Sequence, residues 1–436
     1  MMASSRIEWR QGSSIPEIHR LRPIWPKRIV FQIGLDFLGI GTTIVAMHRL
    51  ISPYLKNDLL EKIVLLSGPR QSGKTTIAKM LVQDFDYFNY DLAEHRVALM
   101  EKSWRRDCQL VIFDELHKMK NWKSWLKGIY DTRGLTPPML VTGSARLDTA
   151  RRTGDSLAGR FFQYRLHPLD LKEVKAVLAP EEALDRFMRF GGFPEPFLKG
   201  QEIFYNRWKK SHHDIILRQD LIDLESVRSI ADLETLIELM RHNVGSPVSY
   251  NSLARDLQRD PKTIKRWLEL LETMYIMFKV PPYHKNIARS LLKEPKYYFY
   301  DTGQVYGDQG SKLENMVACA LLKELHFLED TLGKRCLLTY LRNKDGREID
   351  FLVVIDGRPA LMIEVKWADA SLSRNFTVFS KYLSQTPALQ LVGRLDREKS
   401  FPSGARIVRA APWLTELDLT MYAQGTPLSV SRAVLD

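Results

Sequence analysis

The run Gly68-Pro69-Arg70-Gln71-Ser72-Gly73-Lys74-Thr75, followed by Thr76, constrains this chain more than any other segment. It has the spacing GxxxxGK[ST]. The apolar stretch Ile63-Val64-Leu65-Leu66 stands directly before it, and a helical pattern from Thr76 to Val82 follows. Strand, glycine loop, helix is the order in which a loop turns successive backbone N–H groups around a polyphosphate. The positive end of the helix adds to that attraction. In this reading residues 68–76 cradle ATP, Lys74 reaches the β- and γ-phosphates, and Thr75 ligates Mg²⁺.

A second segment has the chemistry the first requires. Leu110-Val111-Ile112-Phe113-Asp114-Glu115 is continuously apolar until its two terminal acids, as expected of a strand buried in a parallel sheet. Asp114 at that edge is suited to the Mg²⁺ shell, and Glu115 to orienting or deprotonating the attacking water. Adjacent acids favour water over another phosphate acceptor, which disfavours a nucleotide kinase. Pro138 to Ala145 reads as a further buried strand, ending where Ser144, or Thr142, can meet the γ-phosphate. In Ser156-Leu157-Ala158-Gly159-Arg160-Phe161, Arg160 is a candidate for stabilising the transferring phosphoryl group. It would act in cis or from a neighbouring copy in a homo-oligomer. A surface ion pair is the plain alternative, and Arg146, Arg151 and Arg152 compete for the role.

The 436 residues allow two to four domains. A formal charge of +12 and an isoelectric point near 9.4 favour a polyanionic partner, with DNA the expected one, but charge alone does not outweigh a merely solvated basic surface. Cys108, Cys319 and Cys336 lack metal or disulfide spacing, so a reducing, cytoplasmic setting is expected. The one membrane candidate, Ile29 to Met47, carries Asp36 and three glycines, and no membrane partner is expected. Residues 1–46 read as a loosely ordered extension, with Met47 as an alternative start.

Past Pro168 the α/β alternation fades. Leu169 to Leu178, Glu181 to Phe190 and residues 201–242 look helical, with a sharp break at Gly191-Gly192-Phe193-Pro194-Glu195-Pro196. His212-His213 lacks a second cluster at ligand spacing and reads as a surface pair. A helix capped at Ser249 ends before Asp260-Pro261. A second helix from Lys262 to Leu271 follows, then strand-like runs Tyr275 to Val280 and Lys296 to Tyr300. That is the order of a winged helix, with Lys262, Thr263, Lys265 and Arg266 opening the would-be recognition helix. A packing module is the plainer alternative.

In residues 313–367 an amphipathic helix from Leu313 to about His326 precedes three strand-like runs. These are Thr339 to Arg342, Glu348 to Val354 and Leu361 to Trp367, the last two joined by the turn Asp356-Gly357. Glu364 and Lys366 share a strand face, Asp350 lies across the hairpin, and Glu314 can complete the set from the helix. Carboxylates that hold Mg²⁺ beside a lysine suit phosphodiester cleavage, although such folds also persist as binding modules.

The strings SGPRQSGKTT, FDELHKM, TGSARL, SLAGRF, GGFPEP, PKYYFYDTG, KLENMVA and EIDFLVV…MIEVKW occur in that order. Together they resemble the prokaryotic AAA-type ATPases that carry a C-terminal domain of unknown function, over roughly Met47 to Leu395. The resemblance implies ATP at residues 68–75, Mg²⁺ near Thr75 and Asp114, and hydrolysis assisted by Glu115. It also implies a PD-(D/E)xK, restriction-endonuclease-like site at Glu314, Asp350, Glu364 and Lys366. The expected architecture is therefore α/β throughout its two ends. It comprises an extension (1–46), an AAA-type P-loop domain with a parallel sheet (47–168), a helical region (169–246), a winged helix (247–303), a nuclease-like α/β domain (304–400) and a C-terminal segment (401–436). The expected activity is ATP hydrolysis coupled to an action on DNA. The alternative is a signalling or defence ATPase whose C-terminal half only binds a partner.

Overall fold

Five short strands, β1 (Ile63–Ser67), β2 (Phe85–Asn89), β3 (Leu110–Asp114), β4 (Met139–Thr142) and β5 (Phe161–Arg165), form a wholly parallel sheet in the order β2-β3-β4-β1-β5. The computed structural model describes residues 49–143, 157–217, 230–284 and 294–423. The central strands β1, β3 and β4 are buried at every residue, which is why they read as unbroken apolar runs. One face packs on Trp104, Trp122, Leu126 and Ile129, the other on Leu55, Ile77, Ala78 and Leu81. Register then fixes the site. Thr142 stands level with Leu66 on one side and Asp114 on the other, so three strands end together beside the glycine loop.

The middle of the chain is helical: Leu171–Val174, Pro180–Phe190, Pro194–Lys199, Glu202–Ile215 and Ile230–His242. The first is shorter than the expected span to Leu178. Asp170 caps it by accepting the Glu173 N–H, and Pro180, unable to continue a preceding helix, opens the next. Helices Tyr250–Asp256 and Pro261–Thr273 follow, and then an antiparallel pair, β6 (Met277–Val280) with β7 (Lys296–Phe299). Ser249 occupies the N-cap without a side-chain bond. Asp260 caps the second helix by accepting the Lys262 N–H at 2.7 Å.

A 24-residue helix, Gln309–Leu332, then spans about 36 Å at 1.5 Å per residue. It leads into a six-stranded mixed sheet in the order β12-β13-β11-β10-β9-β8. Its strands are β8 (Cys336–Arg342), β9 (Glu348–Ile355), β10 (Arg358–Lys366), β11 (Ala388–Val392), β12 (Lys399–Ser400) and β13 (Arg406–Arg409). Asp356 and Gly357, both at positive φ, make the tight β9–β10 turn. Because β13 pairs in parallel with β11, the sheet runs past residue 400, where its boundary was expected. Among the described residues no helix is long and apolar enough to cross a membrane. The Ile29 to Met47 candidate and the extension 1–46 lie outside them.

Candidate nucleotide site and a second cluster of acids and lysines

The glycine loop leaves the buried end of β1 with Gly68 at φ +143°. A Cβ there would stand 2.4 Å from the Leu166 carbonyl oxygen, so only glycine lets the loop pass β5's exit this closely. Gly73, at φ +96°, is the N-cap of the helix Lys74–Met80. Lys74 is buried and donates to the carbonyls of Gly68 (2.9 Å) and Pro69 (2.6 Å), which folds its ammonium over the loop. The Ser72 hydroxyl is fully buried with no hydrogen-bond partner. A buried hydroxyl without a protein partner in a phosphate cradle fits an oxygen-rich ligand. Gln71 and Thr76 are exposed, and Arg70 and Thr75 half-buried.

Asp114 is the centre of the neighbouring cluster. Its Oδ2 accepts from Thr75 Oγ1 at 2.9 Å and from the Tyr87 hydroxyl at 2.8 Å, while its Oδ1 accepts from Thr142 Oγ1. The hydroxyl and carboxylate expected to share Mg²⁺ thus already meet. Glu115 follows at φ 56°, a left-handed conformation that turns its carboxylate away from the strand direction. Its Oε2 lies 3.5 Å from both His117 Nε2 and Lys118 Nζ. Burial raises the Glu115 carboxyl above its ordinary value against the pull of Lys118, which makes it a stronger base.

Thr142 is the polar residue at the end of β4. Ser144, like Arg146, Arg151 and Arg152, lies outside the described residues. Arg160 is placed at the opposite end of the sheet. Its carbonyl accepts from the Ile63 N–H at the start of β1, whereas the loop leaves β1 after Ser67. A five-residue strand separates them, about 16 Å at 3.3 Å per residue. Arg160 instead pairs with Asp131 at 2.6 Å in a solvent-accessible bridge. Action on this chain's own phosphate loop is therefore ruled out by strand direction.

Arg49, which the sequence reading passed over, holds the loop from behind. Its Nη1 donates to the Ser72 carbonyl at 2.9 Å, its Nη2 to the His167 carbonyl, and its Nε pairs with Glu173 at 2.9 Å. Glu173 in turn meets Lys323 of the long helix at 2.6 Å. Burial pushes its carboxyl up, but Arg49 and Lys323 outweigh burial and hold it at about 2. His167 also contacts His326 of the same helix, Nε2 to Nδ1, at 2.8 Å.

The other end of the long helix carries Glu314, where the second predicted cluster assembles. Glu314 Oε1 accepts from the Tyr298 hydroxyl at 2.7 Å and from Lys296 at 3.3 Å. Asp350 Oδ2 accepts the Val365 N–H at 2.8 Å, and Glu364 Oε1 is 2.9 Å from Lys366 Nζ. Glu364 Oε2 is buried and unpaired. Burial, and then Asp350, push Glu314 and Glu364 up to about 7. All four expected residues are brought together. What was not expected is Lys296, 1% exposed, whose ammonium also pairs with Glu348 and lies 3.7 Å from Asp350.

Among the described residues no three acids, imidazoles or thiols are disposed around a metal-sized point. A Mg²⁺ held jointly by Glu314, Asp350 and Glu364 does not fit this donor set, because the acids already face lysines. His213, expected to be a surface residue, bonds Gln304 at 2.7 Å, and burial drives its pKa down to about 3. His212 is buried as well and stacks on Trp208.

Three family models match successive parts of the chain. Residues 60–175 match the family model of an AAA domain. Residues 181–306 and 309–412 match two domains of unknown function, DUF8612 and DUF4143. An uncharacterized protein of Mycobacterium tuberculosis is 26% identical over 328 residues, 72% of each chain. Another, of Methanocaldococcus jannaschii, is 24% identical over 403 residues, 84% of this chain and 88% of the relative. Among solved structures, the Walker-type ATPase of Pyrococcus abyssi aligns at 15% identity and TM-score 0.36, covering 58% of this chain and 93% of that one. A RuvB variant of Thermotoga maritima aligns at 18% and 0.29, covering 53% and 87%. Residues 60–175, which match the AAA domain model, thus carry a phosphate-binding loop with Lys74, Thr75 and Asp114 arranged as described.

Proposed function

We propose that this protein hydrolyses ATP with Mg²⁺ and couples that cycle, through the helix Gln309–Leu332, to an action on DNA. The observation that carries the hydrolytic part is the convergence of Thr75, Asp114 and Thr142 beside Glu115 at the mouth of the glycine loop. Bound Mg²⁺ would neutralise charge on the terminal phosphates. Lys74, released from the Gly68 and Pro69 carbonyls, binds the same phosphates. Thr75 and Asp114 would hold the ion, and Glu115 accepts a proton from water placed before it.

Coupling is supported by the buried chain Ser72–Arg49–Glu173–Lys323, which joins the phosphate loop to the long helix. The DNA reading is supported by the paired helices before β6 and β7. Lys262, Lys265 and Arg266 are exposed at the start of the second of these helices, with Thr263 half-buried among them. Arg160, remote from its own loop, is retained only as a group supplied to a neighbouring copy.

ATP turnover and DNA binding measured together at low and high salt test this reading. Duplex DNA is expected to stimulate turnover at low salt and to lose its grip as salt rises. The triple change Lys262→Ala, Lys265→Ala, Arg266→Ala should weaken binding and flatten the salt slope by up to about three charges' worth. Absence of salt-sensitive binding, with turnover indifferent to DNA, would overturn the DNA part.

A second reading, a signalling or defence ATPase with a non-cleaving C-terminal binding module, is favoured by Lys296 lying amid the carboxylates. Nicking of DNA that Asp350→Ala abolishes would decide against it.

A further inference from the structure

A lysine that opens an otherwise aromatic buried strand, Lys296-Tyr297-Tyr298-Phe299, has to be compensated by acids. Here the compensation comes from two other elements. Glu314 descends from the long helix, and Glu348 and Asp350 project from alternate positions of β9. The ammonium carried by β7 is therefore fixed by contacts from the helix and β9, with the Tyr340 ring 5.4 Å away. Backbone closes the site from a further side, since a Cβ on Gly245 would come within 2.8 Å of the Glu314 carboxylate. The fourth acid, Glu364, is taken by Lys366 and the Ser373 hydroxyl, and Arg342 lies 3.5 Å from Glu348.

We propose that the Lys296 ammonium is the resident cation of this carboxylate cluster, standing where a divalent ion would otherwise be held. The ammonium then offsets part of the charge of Glu314, Glu348 and Asp350 without metal. A divalent ion bridging Glu314 and Asp350 would be forced against a like charge that has no route to solvent. The C-terminal site is thereby a fixed polar junction between β7, the long helix and β9, and its Glu314 and Asp350 are not free to hold a metal that activates water. The inference rests on the cluster's geometry alone and is independent of ATP hydrolysis.

Titration of nucleotide-free, full-length protein with Mn²⁺, followed by the electron paramagnetic resonance of the free ion, tests it. The wild-type chain should have no Mn²⁺ site that Asp350→Asn removes. Lys296→Met, which keeps the apolar stem and deletes the charge, should gain one saturable site per chain. That site should disappear in the Lys296→Met, Asp350→Asn double variant, and Lys296→Arg should gain none. A wild-type site lost in Asp350→Asn would overturn the proposal. So would a folded Lys296→Met protein without an Asp350-dependent site. Should Lys296→Met fail to fold, the comparison of wild type with Asp350→Asn still decides. ATP turnover in the same samples reports separately on the nucleotide site, so failure of one reading leaves the other measurable.

Discussion

Asp114 accepts three hydroxyl hydrogen bonds, from Thr75, Tyr87 and Thr142, whereas the carboxylate of Glu115, one residue on, makes only long ion pairs. In the proposed reaction the two acids divide the work: one is held rigidly, and the other takes the proton from water. Glu115→Gln keeps the shape and removes the base. It should leave ATP binding intact while lowering turnover by about 10²- to 10⁴-fold, read from nucleotide affinity and steady-state rate together. The second cluster makes a pH prediction. Glu364 is raised from 4.5 to about 7, so between these values the folded chain binds more protons than the unfolded one. Its contribution to stability is full below about pH 4.5 and is lost as pH rises through about 7. The difference in unfolding free energy between wild type and Glu364→Gln should therefore change by about 1–2 kcal/mol from pH 5 to pH 7.5, favouring wild type at the acidic end. Denaturant melts at the two pH values measure it. Local spacing pointed to Asp114, Glu115, Asp350, Glu364 and Lys366. It did not point to Arg49 or Lys296: the Glu173 and His167 partners of Arg49 are more than a hundred residues away, and those of Lys296 are divided between a helix and a distant strand.

At the scale of elements, the strands were legible because burial on both sides demands unbroken apolar runs, as in Ile63–Ser67 and Leu110–Asp114. The order in which they pair was not. β4 inserts between β1 and β3, a long-range choice that no local pattern encodes, and this insertion brings Thr142 to Asp114. The same topology puts Arg160 at the far end of the sheet, although its place beside Gly159 suggested a catalytic arginine. The long helix was expected from Leu313 to about His326 and runs from Gln309 to Leu332. Its extra C-terminal turns carry Glu329 and Asp330, both 2.7 Å from Arg165 at the end of β5. Asp330 is 3% exposed in this pairing, so Arg165→Ala would take from a buried carboxylate the guanidinium that faces it. A loss of about 3–5 kcal/mol in equilibrium unfolding is expected. A loss below about 1 kcal/mol would mean that this junction behaves as an exposed ion pair.

Across the whole folded region, one helix spans the distance between two chemically distinct clusters. Lys323 and His326 face the phosphate-loop side through Glu173 and His167, and Glu314 enters the carboxylate cluster. A shift of the loop at the Ser72 carbonyl would reach Glu173 through Arg49, which touches both. These contacts are the physical basis of the coupling proposed above. The account depends first on the nucleotide pocket itself. ATP turnover by purified Lys74→Ala protein, set beside wild type of matched circular dichroism, tests it most directly. The expected result is a steady Mg²⁺-dependent rate in wild type that falls to background in the variant. An unchanged rate in the variant would contradict the assignment of residues 68–76 as the site where ATP is held.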